Sequence, residues 1–124
     1  MSKTIWELIQ EKLEENHIKA YPPGAHKGEC KENYVVIKQS GSMQIMDFSS
    51  EYVYYDFMIY VPLNKYNELD RFEKQVKKVI DENLYPLLVP TGSNMTDFLD
   101  DEKKAHMRSF MYRNAKRNRH LQPH

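Results

Sequence analysis

Glycine and cysteine are scarce in this sequence, and their scarcity argues against the common catalytic motifs. The four glycines stand at positions 24, 28, 41 and 92, and none belongs to a phosphate-cradling loop motif. No serine lies in a Gly-x-Ser-x-Gly turn. The single cysteine, Cys30, has no partner for an internal disulfide. We therefore expect a protein that is not an enzyme, with no catalytic residues and no cofactor, although a site assembled from distant residues would leave no motif.

Long apolar runs are also missing. No run approaches the roughly 20 residues that a membrane-spanning helix needs. Residues 1–4 lead directly into a charged amphipathic stretch, without the apolar segment of a signal peptide. These features predict no membrane partner and a protein that is made and kept in the cytoplasm.

Two groups of potential metal ligands are present, and neither has a specific spacing. His17, His26 and Cys30 are loosely spaced in a segment with Pro and Gly. A second, acidic group consists of Asp97, Asp100, Asp101 and Glu102. Hard carboxylate oxygens suit Ca²⁺ or Mg²⁺, but no glycine lies among these residues as in an EF-hand. We expect no metal at either place and a solvated acidic loop at the second.

The composition is that of one globular domain. The chain has 124 residues, of which 40% are hydrophobic and 29% charged, enough for one core but not two. Nine residues are tyrosines. Tyrosine combines a large apolar body with a polar tip, so it suits surfaces that meet other proteins as well as the edge of a sheet.

Charge is balanced overall but divided along the chain. Residues 1–102 hold 11 Lys and Arg against all 18 Asp and Glu, which leaves −7. Residues 103–124 hold seven Lys and Arg and no acid, which is +7. A basic segment of this kind can bind nucleic acid or an acidic surface on a neighbouring subunit.

Two segments have helical periodicity. The first is 4–16, where Thr4 and Glu7 match a capping box and an apolar stripe can lie on a sheet, with Trp6 as an anchor. The second helix is predicted to begin after Asn64 as N-cap. Its apolar positions are Tyr66, Leu69, Phe72, Val76, Val79 and Ile80.

Five segments have strand character: 34–37, 43–48, 52–61, 87–89 and 106–112. Along 52–61, apolar residues alternate with a tyrosine-rich set, so one face should meet the helices and the other should face solvent or another subunit. The sequence predicts an α+β fold, with a mostly antiparallel β-sheet of about four strands and two helices packed on one face. Residues 1–113 are predicted to form a single domain, and 114–124 a basic, flexible C-terminal tail.

Several pieces of the chain resemble small proteins encoded in the morphogenesis clusters of tailed bacteriophages and prophages. These pieces are Tyr21–Gly24, Tyr34–Lys38, Tyr54–Pro62, Pro90–Gly92, Asp100–His106 and the strand that ends at Tyr112. They cover most of residues 20–113. Their order and spacing carry the resemblance, together with the plan of helix, strands, helix and strand.

The resemblance implies a tail terminator, or head–tail joining protein, of the phage neck. Such proteins typically form a hexameric ring that stops polymerisation of the tail tube and gives the head a docking face. The implied partners are further copies of the chain, the tail tube protein and a head-completion (connector) protein, while DNA passes through without being specifically read. The implied location is the host bacterial cytoplasm during assembly and then the tail or neck of the virion. The family has no active site from which to transfer catalytic residues.

A ring of identical subunits needs two different surfaces that fit each other, and the opposed charges of one chain can supply them. The residues that we expect at the subunit or tail-tube interface are Arg108, Arg113, Lys116, Arg117, Arg119, Tyr52, Tyr54 and Tyr60. The loops 17–32 and 90–104 are expected to become ordered on docking.

Two other functions remain open from the sequence. A small nucleic-acid-binding domain would use the basic tail, but no aromatic residue lies among the last ten residues to stack on bases. An adaptor domain would use the tyrosine-rich sheet face and would be a stable monomer or dimer without affinity for tail tubes.

Overall fold

A computed structural model describes residues 3–44 and 50–117 of the chain. Its elements are α1 (Ile5–Glu15), β1 (Lys19–Tyr21), β2 (Tyr34–Gln44), β3 (Ser50–Pro62), a 3-10 helix (Leu63–Glu68), α2 (Leu69–Leu84), β4 (Val89–Asn94), β5 (Phe98–Asp100) and β6 (Ala105–Arg117). The strands form one six-stranded sheet. The predicted α+β class with two α-helices is confirmed.

The sheet has more strands than predicted and is mixed. The strand order is β1-β2-β3-β6-β4, and β5 pairs with β6 as well. Only β1 runs parallel to its neighbour, and all other pairs are antiparallel. The prediction of about four strands missed β1 and β5 because three residues are too few for an alternation to be visible.

Strand β2 is longer than predicted. It passes through Gly41, where a turn was expected, and a register shift between Gln39 and Gly41 leaves one extra residue on β2. A bulge of this kind favours glycine, and Gly41 has a φ of 128°. The predicted strand 43–48 is therefore the end of β2 in its first two residues, while 45–49 lie outside the described residues. The strand predicted at 87–89 begins only at Val89, as β4.

Helix α1 forms as the sequence predicts. Thr4 Oγ1 accepts a hydrogen bond from the Glu7 backbone N–H (3.1 Å), and the Glu7 carboxylate accepts one from the Thr4 N–H (2.9 Å). The predicted capping box is thus confirmed. Ile9 and Leu13 are fully buried, and Trp6 donates from Nε1 to the Ile37 carbonyl of β2 at 2.8 Å. These contacts hold the helix on the sheet.

Helix α2 begins later than predicted. Asn64 lies within the 3-10 helix, and α2 starts at Leu69 without a side-chain cap, so the predicted N-cap is wrong. Tyr66 belongs to the 3-10 helix and is 52% exposed, whereas its predicted place was in the core. The other predicted apolar positions of the helix are buried.

The main core lies between the two helices and one face of the sheet. Its β3 residues are Val53, Tyr55, Phe57, Ile59 and Val61. Phe57 stacks on Phe110 of β6 with ring centroids 5.5 Å apart. Burying each such side chain contributes about 1.5–3 kcal/mol, so this face is where the folding free energy concentrates.

Strand β6 extends beyond its predicted end at Tyr112 to Arg117, where it pairs with Ser50 of β3. The predicted tail 114–124 therefore begins within a strand, and its residues 118–124 lie outside the described residues. Within the described part of the chain, no helix is both long and apolar enough to cross a membrane.

Candidate functional site

The candidate site is the face of the sheet that points away from both helices, called here the open face. Its described side chains, from β2, β3 and β6, are Tyr34, Val36, Lys38, Tyr52, Tyr54, Asp56, Met58, Tyr60, Met107, Ser109, Met111 and Arg113. The alternation along β3 sends Phe57 and Ile59 to the core, and leaves Asp56, Met58 and Tyr60 half-buried on the open face. The apolar cluster on this face contains no helix residue.

One end of the open face is covered by the loop 22–33, called here the covering loop. Lys103 anchors the loop, because its Nζ donates to the His26 carbonyl at 2.7 Å and lies 3.2 Å from His26 Nδ1. The Lys103 carbonyl accepts a hydrogen bond from the Cys30 N–H at 2.6 Å. The loop is therefore a built part of the face and not a loose connection.

Aromatic rings stack beneath the covering loop. His26 stacks on Tyr34 with centroids 3.9 Å apart, and Tyr34 stacks on Tyr60 at 4.7 Å. Tyr21 meets the edge of His26 at 5.3 Å. Burial, and then the charge of Lys103, lower the pKa of His26. Burial, and then the neighbouring Cys30, raise the pKa of Tyr34, whose buried hydroxyl has no hydrogen-bond partner among the described residues.

Between the covering loop and the sheet lies a depression of about 520 Å³, called here the lysine pocket. Lys27, Lys38 and Lys103 line it, together with His26, and no acidic side chain does. None of the salt bridges between described residues involves these three lysines. The pocket is thus a concentration of positive charge, of which Asp56, directly opposite Lys38 on β3, offsets a part.

Next to the lysine pocket is a smaller groove of about 170 Å³, called here the methionine groove. Met58, Met95, Met107 and Met111 line it, with Asp56 at one side. Burial raises the pKa of Asp56, and Lys38, directly opposite on β2, acts against that rise. Methionine side chains are flexible and polarisable, so such a groove can adapt to different apolar partners.

The far end of the open face carries tyrosine and arginine. The Arg113 guanidinium lies over the Tyr52 ring at 4.3 Å, and Tyr52 meets the edge of Tyr54 at 6.4 Å. The Arg113 Nε is buried and has no hydrogen-bond partner among the described residues. Of the predicted interface residues, the structure therefore places Tyr52, Tyr54 and Arg113 together, and Tyr60 on the same face under the covering loop.

Arg108 lies on the opposite side of the sheet from Tyr52, Tyr54, Tyr60 and Arg113. Its guanidinium forms a bidentate hydrogen-bonded contact with the Asp97 carboxylate (2.6 and 2.9 Å). It also donates hydrogen bonds to Asp70 (2.6 Å) and Glu73 (2.8 Å). Its side chain is only 18% exposed. These contacts raise its pKa above the ordinary value, with the Asp97 hydrogen bond as the largest cause. Arg108 thus joins β6 to α2 within the subunit, which accounts for its charge without a second subunit.

The remaining predicted interface residues are those of the tail. The backbones of Lys116 and Arg117 belong to β6, where they pair with Glu51 and Ser50. Their side chains, and all of Arg119, lie outside the described residues.

The structure does not bring together the potential metal ligands. Across 3–44 and 50–117, no group of three or more His, Cys, Asp or Glu side chains is placed to hold an ion. Asp97 binds Arg108, and Asp100 Oδ1 accepts from the Lys103 N–H at 3.0 Å. Burial, as the main cause, raises the pKa of the Cys30 thiol to about 11, so it stays protonated and poorly nucleophilic at neutral pH.

Two parts of the face were absent from the sequence predictions. Met107, Ser109 and Met111 alternate along β6, and this period of two was a readable signal for a methionine-bearing face. The lysine pocket left no such signal, because its three lysines come from the covering loop, β2 and the turn before β6.

The chain matches no protein-family model, and no curated protein sequence matches it. What the geometry offers is a recognition surface with three adjoining parts: a cationic pocket, an apolar groove and a tyrosine–arginine end. Tyr, Met and Arg are the side chains enriched at the cores of protein–protein interfaces, so the open face suits contact with another protein.

Proposed function

We propose that the protein is a structural subunit of a phage or prophage neck. It acts as a tail terminator or head–tail joining protein and forms a ring at the end of the tail tube. The observation that carries the proposal is the open face, which has interface-type side chains and no helix residue in its apolar cluster. The resemblance of the chain to phage morphogenesis proteins supplies the class of assembly.

A ring requires each subunit to meet the next through two different surfaces. The tyrosine–arginine end of the open face supplies one, with the cation Arg113, and this surface does not include the lysine pocket. The helices carry exposed acids that suit the other, namely Glu14, Glu15, Asp81 and Glu82. Opposed charge on two sides of one chain favours head-to-tail contacts over symmetric pairs and guides the encounter.

The other neck proteins are proposed to contact the two ends of the ring. In this proposal the tail tube protein and a connector protein dock above and below the ring, and DNA passes through its centre without specific contacts. The expectation that Lys116, Arg117 and Arg119 meet a neighbour or the tube stays part of the proposal.

The test is the mass and shape of the protein in solution and on purified tail tubes. Light scattering and negative-stain microscopy should find rings of about six subunits with an open centre, free or at one end of each tube. A particle that stays monomeric and does not bind tubes would contradict the proposal. Tight DNA binding that falls steeply with salt would favour the nucleic-acid alternative.

Two charge-reversal variants, one on the open face and one elsewhere as a control, test the proposed ring contact. Arg113→Glu, alone or with changes of Lys116 and Arg117, should abolish assembly and joining, because it turns attraction at the open face into repulsion. Lys65→Glu makes the same charge change on the 3-10 helix, where the exposed Lys65 belongs to neither of the two proposed ring surfaces. It should leave assembly unchanged, and equal losses in both variants would show that net charge alone is responsible.

A further inference from the structure

The lysine pocket has a positively charged lining. Three lysines line it, namely Lys27 of the covering loop, Lys38 of β2 and Lys103 of the turn before β6. No salt bridge between described residues involves the three pocket lysines, although Asp56 lies directly opposite Lys38. Three ammonium groups around one depression repel one another, and an anionic partner would relieve that repulsion.

The base of the pocket is apolar and already in place. Tyr34, which is 1% exposed, and the half-buried Tyr60 form it together with Val36 and Met58. The two hydrogen bonds of Lys103 to His26 hold the covering loop above it. A binding partner would therefore meet a preformed surface and would not have to order the loop first.

The lysine pocket is continuous with the methionine groove. Met58 lines both, so its side chain forms the boundary between the cationic and the apolar part. The pocket volume is within the usual range for ligand sites, but a single small anion would leave most of it unfilled. The two together form a track in which charge recognition is followed by apolar burial.

We propose that this track binds an extended segment of a partner protein that carries a block of acidic residues next to a block of apolar residues. The acidic side chains enter the lysine pocket, and the apolar side chains enter the methionine groove. The inference rests on the proposed function, because it names the chemistry of a partner that docks on the same sheet face. The partner is thereby recognised by charge and by adaptable apolar packing.

Asp56 favours a protein segment over a nucleic acid. It lies directly opposite Lys38 and lines the methionine groove. A phosphate backbone that left the lysine pocket along the track would meet this carboxylate and be repelled. A peptide meets no such penalty there, because its apolar side chains are neutral and its backbone N–H groups can donate to Asp56.

The test uses short synthetic peptides and the full chain. The block peptide has three Asp followed by three Leu, and it is made in both orders. The Lys-containing peptide has Lys in place of each Asp. The Ser-containing peptide has Ser in place of each Leu. Nuclear magnetic resonance titrations at low salt should show the block peptide, in one of its orders, shifting signals of Lys38, Met58 and Met107. The Lys-containing peptide should shift none of them.

Two variants separate the parts of the track. Lys38→Glu should weaken the block peptide about tenfold or more, because attraction becomes repulsion. Lys74→Glu is the matched control and should bind as the parent does. Met107→Gln should weaken the block peptide but not the Ser-containing one, since only the block peptide uses the groove. The amide spectra of the variants report whether each is folded.

The possible results separate peptide binding by the track from assembly of the proposed ring. Equal binding of the block and Lys-containing peptides, or binding of adenosine monophosphate without the block peptide, would overturn the acidic–apolar segment. Light scattering on the same samples reports assembly separately. Peptide binding without ring formation would support the track as a binding site and count against the proposed neck function. Rings that do not bind the block peptide would support the neck function and count against the track.

Discussion

On the helix side of the sheet, the β3 side chains are packed against two helices, whereas their immediate neighbours on the open face stay half-buried. Phe57 is fully buried and Met58 beside it is not, although they are consecutive residues of one strand. The cations differ in the same way. Arg108 on the helix side binds three carboxylates, and Lys38 on the open face binds none among the described residues. The side chains on the helix side therefore find their packing and charge partners within the subunit. Those on the open face remain partly exposed and can contact another protein.

The largest predicted effect compares these two neighbouring residues. Phe57→Ala should cost about 3–5 kcal/mol of folding stability, because it leaves a cavity between the helices and the sheet. Met58→Ala should cost about 1 kcal/mol, since the side chain is already half in solvent. Urea unfolding of both variants measures the difference. Equal losses would show that the open face contributes to the core as much as the helix side does.

The next effect concerns the carboxylates around Arg108. Arg108→Ala should cost about 1–3 kcal/mol, because Asp97, Asp70 and Glu73 lose a common cation. Hydrogen bonding by Arg108, as the largest cause, lowers the pKa of Asp97. A carboxyl with a lowered pKa stabilises the fold above its ordinary pKa of about 4, and this contribution is lost as the pH falls.

The check is a pair of unfolding curves at neutral pH and near pH 3. The parent should lose more stability on acidification than Arg108→Ala, because only the parent has this carboxylate contact to lose. If both proteins lose the same amount, the Arg108 contacts are not responsible for acid sensitivity.

A smaller effect is predicted at the covering loop. The pKa of His26 is lowered, so the unfolded chain takes up its proton first as the pH falls below about 6.5. The contribution of neutral His26 is present above that pH and is lost below it, and after solvent screening it amounts to about a few tenths of a kcal/mol. His26→Gln should remove this part of the pH dependence. Unfolding midpoints of both proteins at pH 8 and pH 5 test it, and an unchanged difference would rule out His26.

The smallest expected change in stability belongs to the open face. Lys38→Gln should alter the free energy of unfolding by less than about 0.5 kcal/mol, because Lys38 is exposed, has no salt bridge in the described chain and is replaced without a second negative charge opposite Asp56. The same change should strongly weaken partner binding. A large loss of stability would mean that Lys38 serves the fold and not a partner.

Local patterns predicted much of the fold. The capping box of Thr4 and Glu7 and the alternation around Phe57 depend on neighbours in sequence, and both were readable. The start of α2 was not, because the 3-10 helix around Asn64 is held by contacts of Tyr66 with Asp97 and His106, which are distant in sequence. Short strands such as β5 exist only because β6 offers them an edge.

The candidate site was predictable in part for the same reason. Tyr52, Tyr54 and Tyr60 were found because they share one strand and one face. Arg108 was grouped with the basic tail by charge, but its partners are set by the packing of α2 against β6. The lysine pocket depends on three segments meeting in space, which no local pattern reports.

The most direct test of the account is oxidation of methionines by hydrogen peroxide, followed by mass spectrometry, in the free protein and on tail tubes. Met58, Met107 and Met111 line the methionine groove, and burial by a partner slows their oxidation. We expect these three residues to be oxidised more slowly when the protein is bound to tubes. Equal oxidation rates in the free and the bound protein would contradict the claim that the open face is the docking surface.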